Sequence, residues 1–329
     1  MQISEQLRLD IQSMVRKRKA GSIEISDRYS VTNEVTLHTG RCEDFLQNIP
    51  ERSIQLVVTS PPYNIGKHYE RGKKQTVEQY IAEQRAVIEL CAKRLSLSGS
   101  ICWQVGNHVV NNELYPIDIM LYPIFRELGL VMRNRVIWHF EHGLHCGRRL
   151  SGRYETIMWF TWPGKEYTFN LDAIRVPQKY PGKKYFKGPK TGQYSANPLG
   201  KNPGDLWVIP NVKHNHVEKT NHPCQFPVEL VERLVLALSN PGDLVVDPYM
   251  GAGSTAVAAF LNGRRAAGAD ITSKYVAISK ERLRSAANGT LRTRPIDRAI
   301  YVPTGSITIP PWNREDATGA IALALLADQ

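Results

Sequence analysis

Cysteine is scarce and scattered: Cys42, Cys91, Cys102, Cys146 and Cys224 are the only five in 329 residues. An odd set without paired spacing excludes a disulfide framework and points to reduced thiols in a cytosol. Long apolar runs are also missing. The longest, Ala320 to Ala327, is eight residues, well short of the ~20 that span a bilayer. The N-terminal MQISEQLRLD has no apolar stretch of a secretory leader, so the expectation is a cytoplasmic chain with no membrane partner. Acidic residues are in deficit, 31 against 42 Lys and Arg, for a net charge of +11. Such an excess favours a polyanion, most commonly nucleic acid, although a basic protein without that partner has the same balance. The rest is ordinary. With 42% hydrophobic and 22% charged residues, wholesale disorder and collagen-like repeats are excluded.

Along the chain, strand-like and helix-like stretches alternate, which predicts an α/β fold around a largely parallel sheet. Residues 1–30 read as a basic helical arm carrying Arg16, Lys17, Arg18 and Lys19. Strands are expected at 34–38, 54–59, 100–105, 131–139, 155–161, 244–246 and 265–269, and helices at 79–97, 117–128, 227–239, 254–261 and 274–287. The stretch 162–221 interrupts this rhythm. It is rich in Pro, Gly, Lys, Asn and Tyr, with Lys183, Lys184, Lys187 and Lys190 among interleaved aromatics. Such a segment suits a nucleic-acid surface; a long surface loop would look similar. The expected organisation is an arm (1–30), a first half (31–161), this basic insertion (162–221), a second half (222–290) and a tail (291–329).

Two constellations carry chemistry. One is a strand running into Asp247-Pro248-Tyr249-Met250-Gly251-Ala252-Gly253-Ser254, then a helix, then a strand ending at Asp270. Glycines let backbone approach a ligand, a helix N-terminus offers free N–H groups, and an acid at the next strand tip suits ribose hydroxyls. The pattern fits an adenosine cofactor, but GxGxxG is not completed, because Ala256 stands where the third glycine would be. A turn that only packs strand on helix would read the same. The other constellation is Thr59-Ser60-Pro61-Pro62-Tyr63 after a buried strand. Two prolines remove two N–H donors and leave carbonyls able to accept an amino group. Ser60 adds a hydroxyl, and Tyr63 a face on which a base can stack.

Four spaced motifs, TSPPYN at 59–64, HPCQFPVELVERLVLALSNPGD at 222–243, DPYMGAGST at 247–255 and GAD at 268–270, together resemble the amino-methylating DNA methyltransferases. With the Pro-Pro motif preceding the glycine motif and a basic segment between, the order resembles their β class, of the kind found in type II restriction–modification systems. The resemblance covers about 35–290. It implies a Rossmann-like methyltransferase fold with helices on both faces of a twisted sheet and a permuted motif order. It also implies S-adenosylmethionine as cofactor and base flipping in double-stranded DNA. Ser60, Pro61, Pro62 and Tyr63 would be catalytic, and Thr59, Asp247, Tyr249, Gly251, Gly253, Ser254 and Asp270 would hold the cofactor. DNA contacts are expected from Lys183, Lys184, Lys187, Lys190, Arg148 and Arg149. In this family, serine before Pro-Pro-Tyr usually accompanies N4-cytosine methylation, and Asp or Asn usually N6-adenine. The cytosine assignment rests on that resemblance only; adenine N6, RNA, or a non-catalytic DNA-binding role are the alternatives. A restriction endonuclease acting at the same site is a possible counterpart, in a bacterial, archaeal or phage setting, with the chain a monomer or homodimer. The family usually has Gly-Asp where Gly40-Arg41 stands. Pro223-Cys224-Gln225 resembles a cytosine-C5 nucleophile motif but leads into a helix, so Cys224 reads as a packing residue. The histidines match no closed zinc spacing, so no metal is expected.

Overall fold

The computed structural model describes residues 23–62, 76–140, 143, 145–164, 166–296 and 298. The run Arg16–Lys19, Tyr63 and most of the tail therefore lie outside the described residues.

Among the described residues a nine-stranded sheet organises the fold. Its strands are β1 (Ile25–Ser26), β2 (Val35–Thr39), β3 (Ile54–Thr59), β4 (Leu95–Val105), β7 (Val131–His139), β8 (Tyr154–Thr161), β9 (Leu206–Val208), β10 (Leu244–Asp247) and β11 (Arg265–Asp270). Strands β5 (Asn107–Val110) and β6 (Glu113–Pro116) form a separate hairpin. The order is β1-β2-β11-β10-β3-β4-β8-β7-β9. All pairings are parallel except those of β8 with β4 and β7. Strand β3 shows why a parallel strand reads as a continuous apolar run: all six residues are buried, with covered faces on both sides. Leu56 and Val58 enter one core, with the helices α4 (Val228–Leu238), α5 (Ser254–Leu261) and α6 (Ser273–Ala287). Val57 enters the other, with α1 (Cys42–Gln47), α2 (Val77–Arg94) and α3 (Ile117–Glu127). Thr76 begins α2 with a reciprocal capping box to Gln79, which satisfies two orphan amides.

From β10 the chain moves outward to β11, and from β3 it moves outward the other way to β4. The strand order therefore reverses between β3 and β10. Open α/β sheets bind ligands outside the carboxyl ends of the strands at such a switch point.

Three expectations change. The helix expected to run to Leu97 ends at Arg94, because Leu95 already pairs with Ile54 across a register shift. Ile25–Ser26, expected within a helical arm, is a strand parallel to β2. The insertion is not only a surface loop: β9 completes the sheet beside β7, and Trp207, Ile209 and Val212 are buried.

Candidate active site

The carboxyl tips of β3 and β10 are neighbours, in register through Val245–Leu56 and Val246–Val57. Beyond that register the side chains join. Thr59 Oγ1 donates to Asp247 Oδ1 at 2.6 Å, and Thr255 Oγ1 donates to Asp247 Oδ2 at 2.8 Å. The Tyr249 N–H also donates to Asp247 Oδ1, at 3.1 Å. Thr255 Oγ1 further reaches the Val58 carbonyl at 3.2 Å. Residues 59–62 and 247–255, far apart in the chain, thus share one corner. Burial pushes the Asp247 carboxyl up to about 6, against the pull of these donors.

The glycine turn is held from behind by α6. Ser279 Oγ donates to the Gly251 carbonyl at 2.9 Å, and Arg282 Nη1 to the Ala252 carbonyl at 2.7 Å. From the β11 tip, Asp270 Oδ2 accepts the Gly251 N–H at 3.1 Å, and Asp270 Oδ1 the Thr272 N–H at 2.7 Å. The glycines answer first to this packing. Gly251 and Gly253 have φ of +51° and +74°, where a side chain is strained. A Cβ on Gly251 would lie 2.9 Å from His222 Nε2, and one on Gly253 2.7 Å from Ser279 Cβ. His222 packs edge-on to Tyr275, and burial lowers its pKa to about 4, so the imidazole is neutral at physiological pH. The HPCQFP segment folds over the turn: Ser254 Oγ donates to the Phe226 carbonyl at 2.8 Å. Glu218 accepts the Val228 N–H at 2.9 Å and pairs with buried Arg282.

Several side chains expected at the cofactor are therefore engaged within the protein. Those of Thr59, Asp247 and Ser254 bond as described. The Tyr249 ring meets Trp103 edge-on, and its hydroxyl accepts from Gln84 at 3.2 Å. Three further features lie at this corner. Helix α5 starts at Gly253 without a side-chain cap, and its first-turn residues are buried. Asp270 also accepts a hydrogen bond from the Thr272 side chain, and burial raises its pKa. Ile271 follows at 71% exposure, an apolar surface that sequence reading missed because one isoleucine carries no pattern. The contributions of Thr255, Ser279, Arg282 and His222 were missed as well.

At the other tip Pro61 is buried, and Ser60 and Pro62 are half-buried. Arg133 bonds Thr161, Trp162 and Gly164 and lies over the Tyr167 ring, and Arg135 pairs with Asp118. Both are committed to the fold. Cys224 is exposed, not packed. Lys183, Lys184, Lys187 and Lys190 are exposed on a ribbon closed by Tyr185 N–H to Gln193 O (2.9 Å) and Ser195 N–H to Lys183 O (2.9 Å). Lys184 lies 5.2 Å from the Tyr194 ring centroid, and Lys190 6.0 Å from that of Tyr185. Among the described residues, no three His, Cys, Asp or Glu gather as a metal site would require.

A parallel-sheet switch point, with an uncapped helix on one side and a proline-stiffened strand tip on the other, is the place where α/β folds of the nucleotide-binding class hold their ligands. A family model described as DNA methylase, N6_N4_Mtase, matches residues 54–281. The chain belongs to this N6/N4 DNA methylase family. It is similar to the type II methyltransferase M.BglII of Bacillus subtilis, at 48% identity over 74% of this chain and 67% of the relative. It is also similar to the DNA adenine methyltransferase YhdJ of Escherichia coli K12, at 33% over 72% and 79%. Among solved structures it resembles the cytosine-N4-specific PvuII DNA methyltransferase, with a TM-score of 0.60 at 19% identity over 85% and 98%. The likeness to PvuII shows the fold. The Thermus thermophilus protein TTHA0409, complexed with S-adenosyl-L-methionine, has a TM-score of 0.55 at 27% identity over 80% and 99%.

Proposed function

We infer that this DNA amino-methyltransferase transfers methyl from S-adenosylmethionine to N4 of cytosine in duplex DNA. The observation that carries the transfer reading is the meeting of the two strand tips through Thr59 and Asp247 (2.6 Å). The cofactor, when bound, supplies an electrophilic methyl group. The residues present fit it. First-turn amides of α5 would take its carboxylate, Asp270 its ribose hydroxyls and Ile271 its adenine.

The exocyclic amino lone pair is delocalised into the base ring, so it is a weak nucleophile, and positioning is the main requirement. The target base swings out of the helix. The Pro61 carbonyl and the Ser60 hydroxyl accept hydrogens of the amino group, which draws nitrogen toward tetrahedral geometry and turns its lone pair to the methyl. Tyr63 stacks on the base. Transfer is direct, and the proton leaves to solvent. The ribbon at 183–195 supplies phosphate contacts through its lysines, and a two-stranded ribbon has the width to enter a major groove. Arg148 and Arg149 supply further phosphate contacts.

Serine at 60 supports cytosine N4. The identity to the Escherichia coli adenine methyltransferase favours a second reading, adenine N6. Digesting DNA methylated by the chain to nucleosides and weighing the products decides between them: N4-methylcytosine is expected, and N6-methyladenine overturns it. Ser60→Ala should lose most turnover with cofactor affinity unchanged. Turnover at the parent rate would remove the serine from the mechanism.

A further inference from the structure

Leu150 is 94% exposed. It lies on the connection from β7 to β8, whose described residues make bonds of their own. The Phe140 N–H donates to the Arg153 carbonyl at 2.8 Å. The Cys146 N–H donates to Ser151 Oγ at 3.1 Å. The second bond closes a short turn whose tip is Gly147-Arg148-Arg149-Leu150. Arg148 is exposed, and Arg149 and Arg153 are half-buried.

Strand register locates this turn. Thr59, Trp103, Met158 and Arg135 form one row across β3, β4, β8 and β7. Past that row β7 continues to His139, paired with Tyr154 at the start of β8. At about 3.3 Å per residue His139 lies ~13 Å along β7 past the row, and at about 4.8 Å between strands β7 lies ~14 Å across the sheet from β3. Because β7 runs parallel to β3, the turn rises from the same edge as Ser60–Pro62. It belongs to a strand three places across the sheet from β3.

We propose that Leu150 is a wedge that enters the base stack where the target base has left it, while Arg148 and Arg149 grip the flanking phosphates. The proposal rests on the duplex-DNA reading above. A flipped base leaves neighbours unstacked and a gap open to water. An apolar side chain pushed into that gap covers the exposed base faces, and proteins that deform DNA use leucine in this way. The neighbours of Leu150 select the partner. A protein partner would be met by further apolar surface, whereas Leu150 is flanked by arginine, serine and glycine, which suits a polyanion.

The test begins by mapping modified bases in a host that expresses the full chain. Duplexes of the mapped site are then made with the target base paired, or opposite an abasic position. Leu150→Ala is expected to slow methylation of the paired duplex by about tenfold or more, matching a loss of the order of one unstacking contribution. On the abasic-partner duplex it should stay within about twofold of the parent, because unpairing is already done. Leu150→Met should restore the paired rate. A paired rate equal to the parent's overturns the wedge. So does an equal loss on both duplexes. A parent that methylates neither duplex overturns the enzymatic reading, and the wedge with it; an active parent isolates the wedge.

Discussion

Residues 247–255 are buried apart from half-buried Tyr249, whereas residues 179–194 are exposed throughout. In the first region Asp247, Gly251, Ala252, Ser254 and Thr255 already have protein partners from β3, β11, α6 and the 222–227 segment. These bonds hold its shape. In the second region a few backbone bonds hold a ribbon, and lysines rest near tyrosine rings in water. Chemistry that needs sub-ångström placement belongs in the first kind of region. A surface that must follow a phosphate backbone can be the second. Substitutions should therefore be steep and local around Asp247, and shallow and additive around Lys184.

The largest effect is expected at Gly253. Alanine there meets left-handed strain and a Cβ 2.7 Å from Ser279 Cβ, which is tied to Gly251. Strain of 1–2 and overpacking of 1–3 together suggest a loss of about 3 kcal/mol. Gly129 is the control. Its φ is +81°, but nothing lies within 4 Å of the added Cβ, so Gly129→Ala should lose only about 1 kcal/mol. Denaturant titration of both measures the difference. Equal losses would mean that the glycine corner yields, and that the contrast between the two regions is overstated.

The second effect is acid sensitivity. His222 titrates near 4 in the folded chain against 6.5 ordinarily, because it is buried. Below about 6.5 the unfolded chain takes up a proton that the folded one refuses. Stability from this group is thus full above 6.5 and falls by about 3 kcal/mol as pH drops to 4. Asp247 runs the other way. Its raised value of about 6 makes its contribution fade as pH rises from about 4 to 6. Comparing the parent with His222→Gln isolates the histidine, since Asp247 is common to both. A stability difference that stays constant from pH 7 to 4 would show that His222 is not buried as neutral imidazole.

How much of this could be read from the sequence follows the same division. The strands Ile54–Thr59 and Val131–His139 and the helix Ser254–Leu261 were legible because apolar content and glycine or proline punctuation mark their ends. The helix Cys42–Gln47 and the Asn107–Pro116 hairpin were not, being short, with a two-residue Asn111-Asn112 turn between ordinary residues. The end of α2 was misplaced because Leu95 fits a helical period as well as a strand. At the site, the motifs marked the two tips. They could not show that Thr59 and Thr255 converge on one carboxylate, or that Ser279 and Arg282 hold the glycine turn. Such partners are joined only by the fold, and single polar residues on a helix carry no period of their own.

Asp270 stands between the two regimes, bonded to Gly251 and Thr272 yet only half-buried. Asp270→Ala should weaken S-adenosylmethionine binding by about ten- to a hundredfold, the range for hydrogen bonds to a charged group. Isothermal titration checks it. Unchanged affinity would move the ribose elsewhere.

The smallest effect on the fold belongs to the ribbon. Replacing Lys183 and Lys184 by alanine removes two exposed cations, one of them near the Tyr194 ring. Thermal stability should move by less than about 0.5 kcal/mol. Binding to duplex DNA should still change in a defined way. Each lost phosphate contact lowers the slope of log affinity against log salt by about 0.9, so the double variant should lose up to about 1.8. If the slope stays at the parent value while melting is unchanged, these lysines face water in the complex, and the phosphates are met by another surface, with the Arg148–Arg149 turn the next to test.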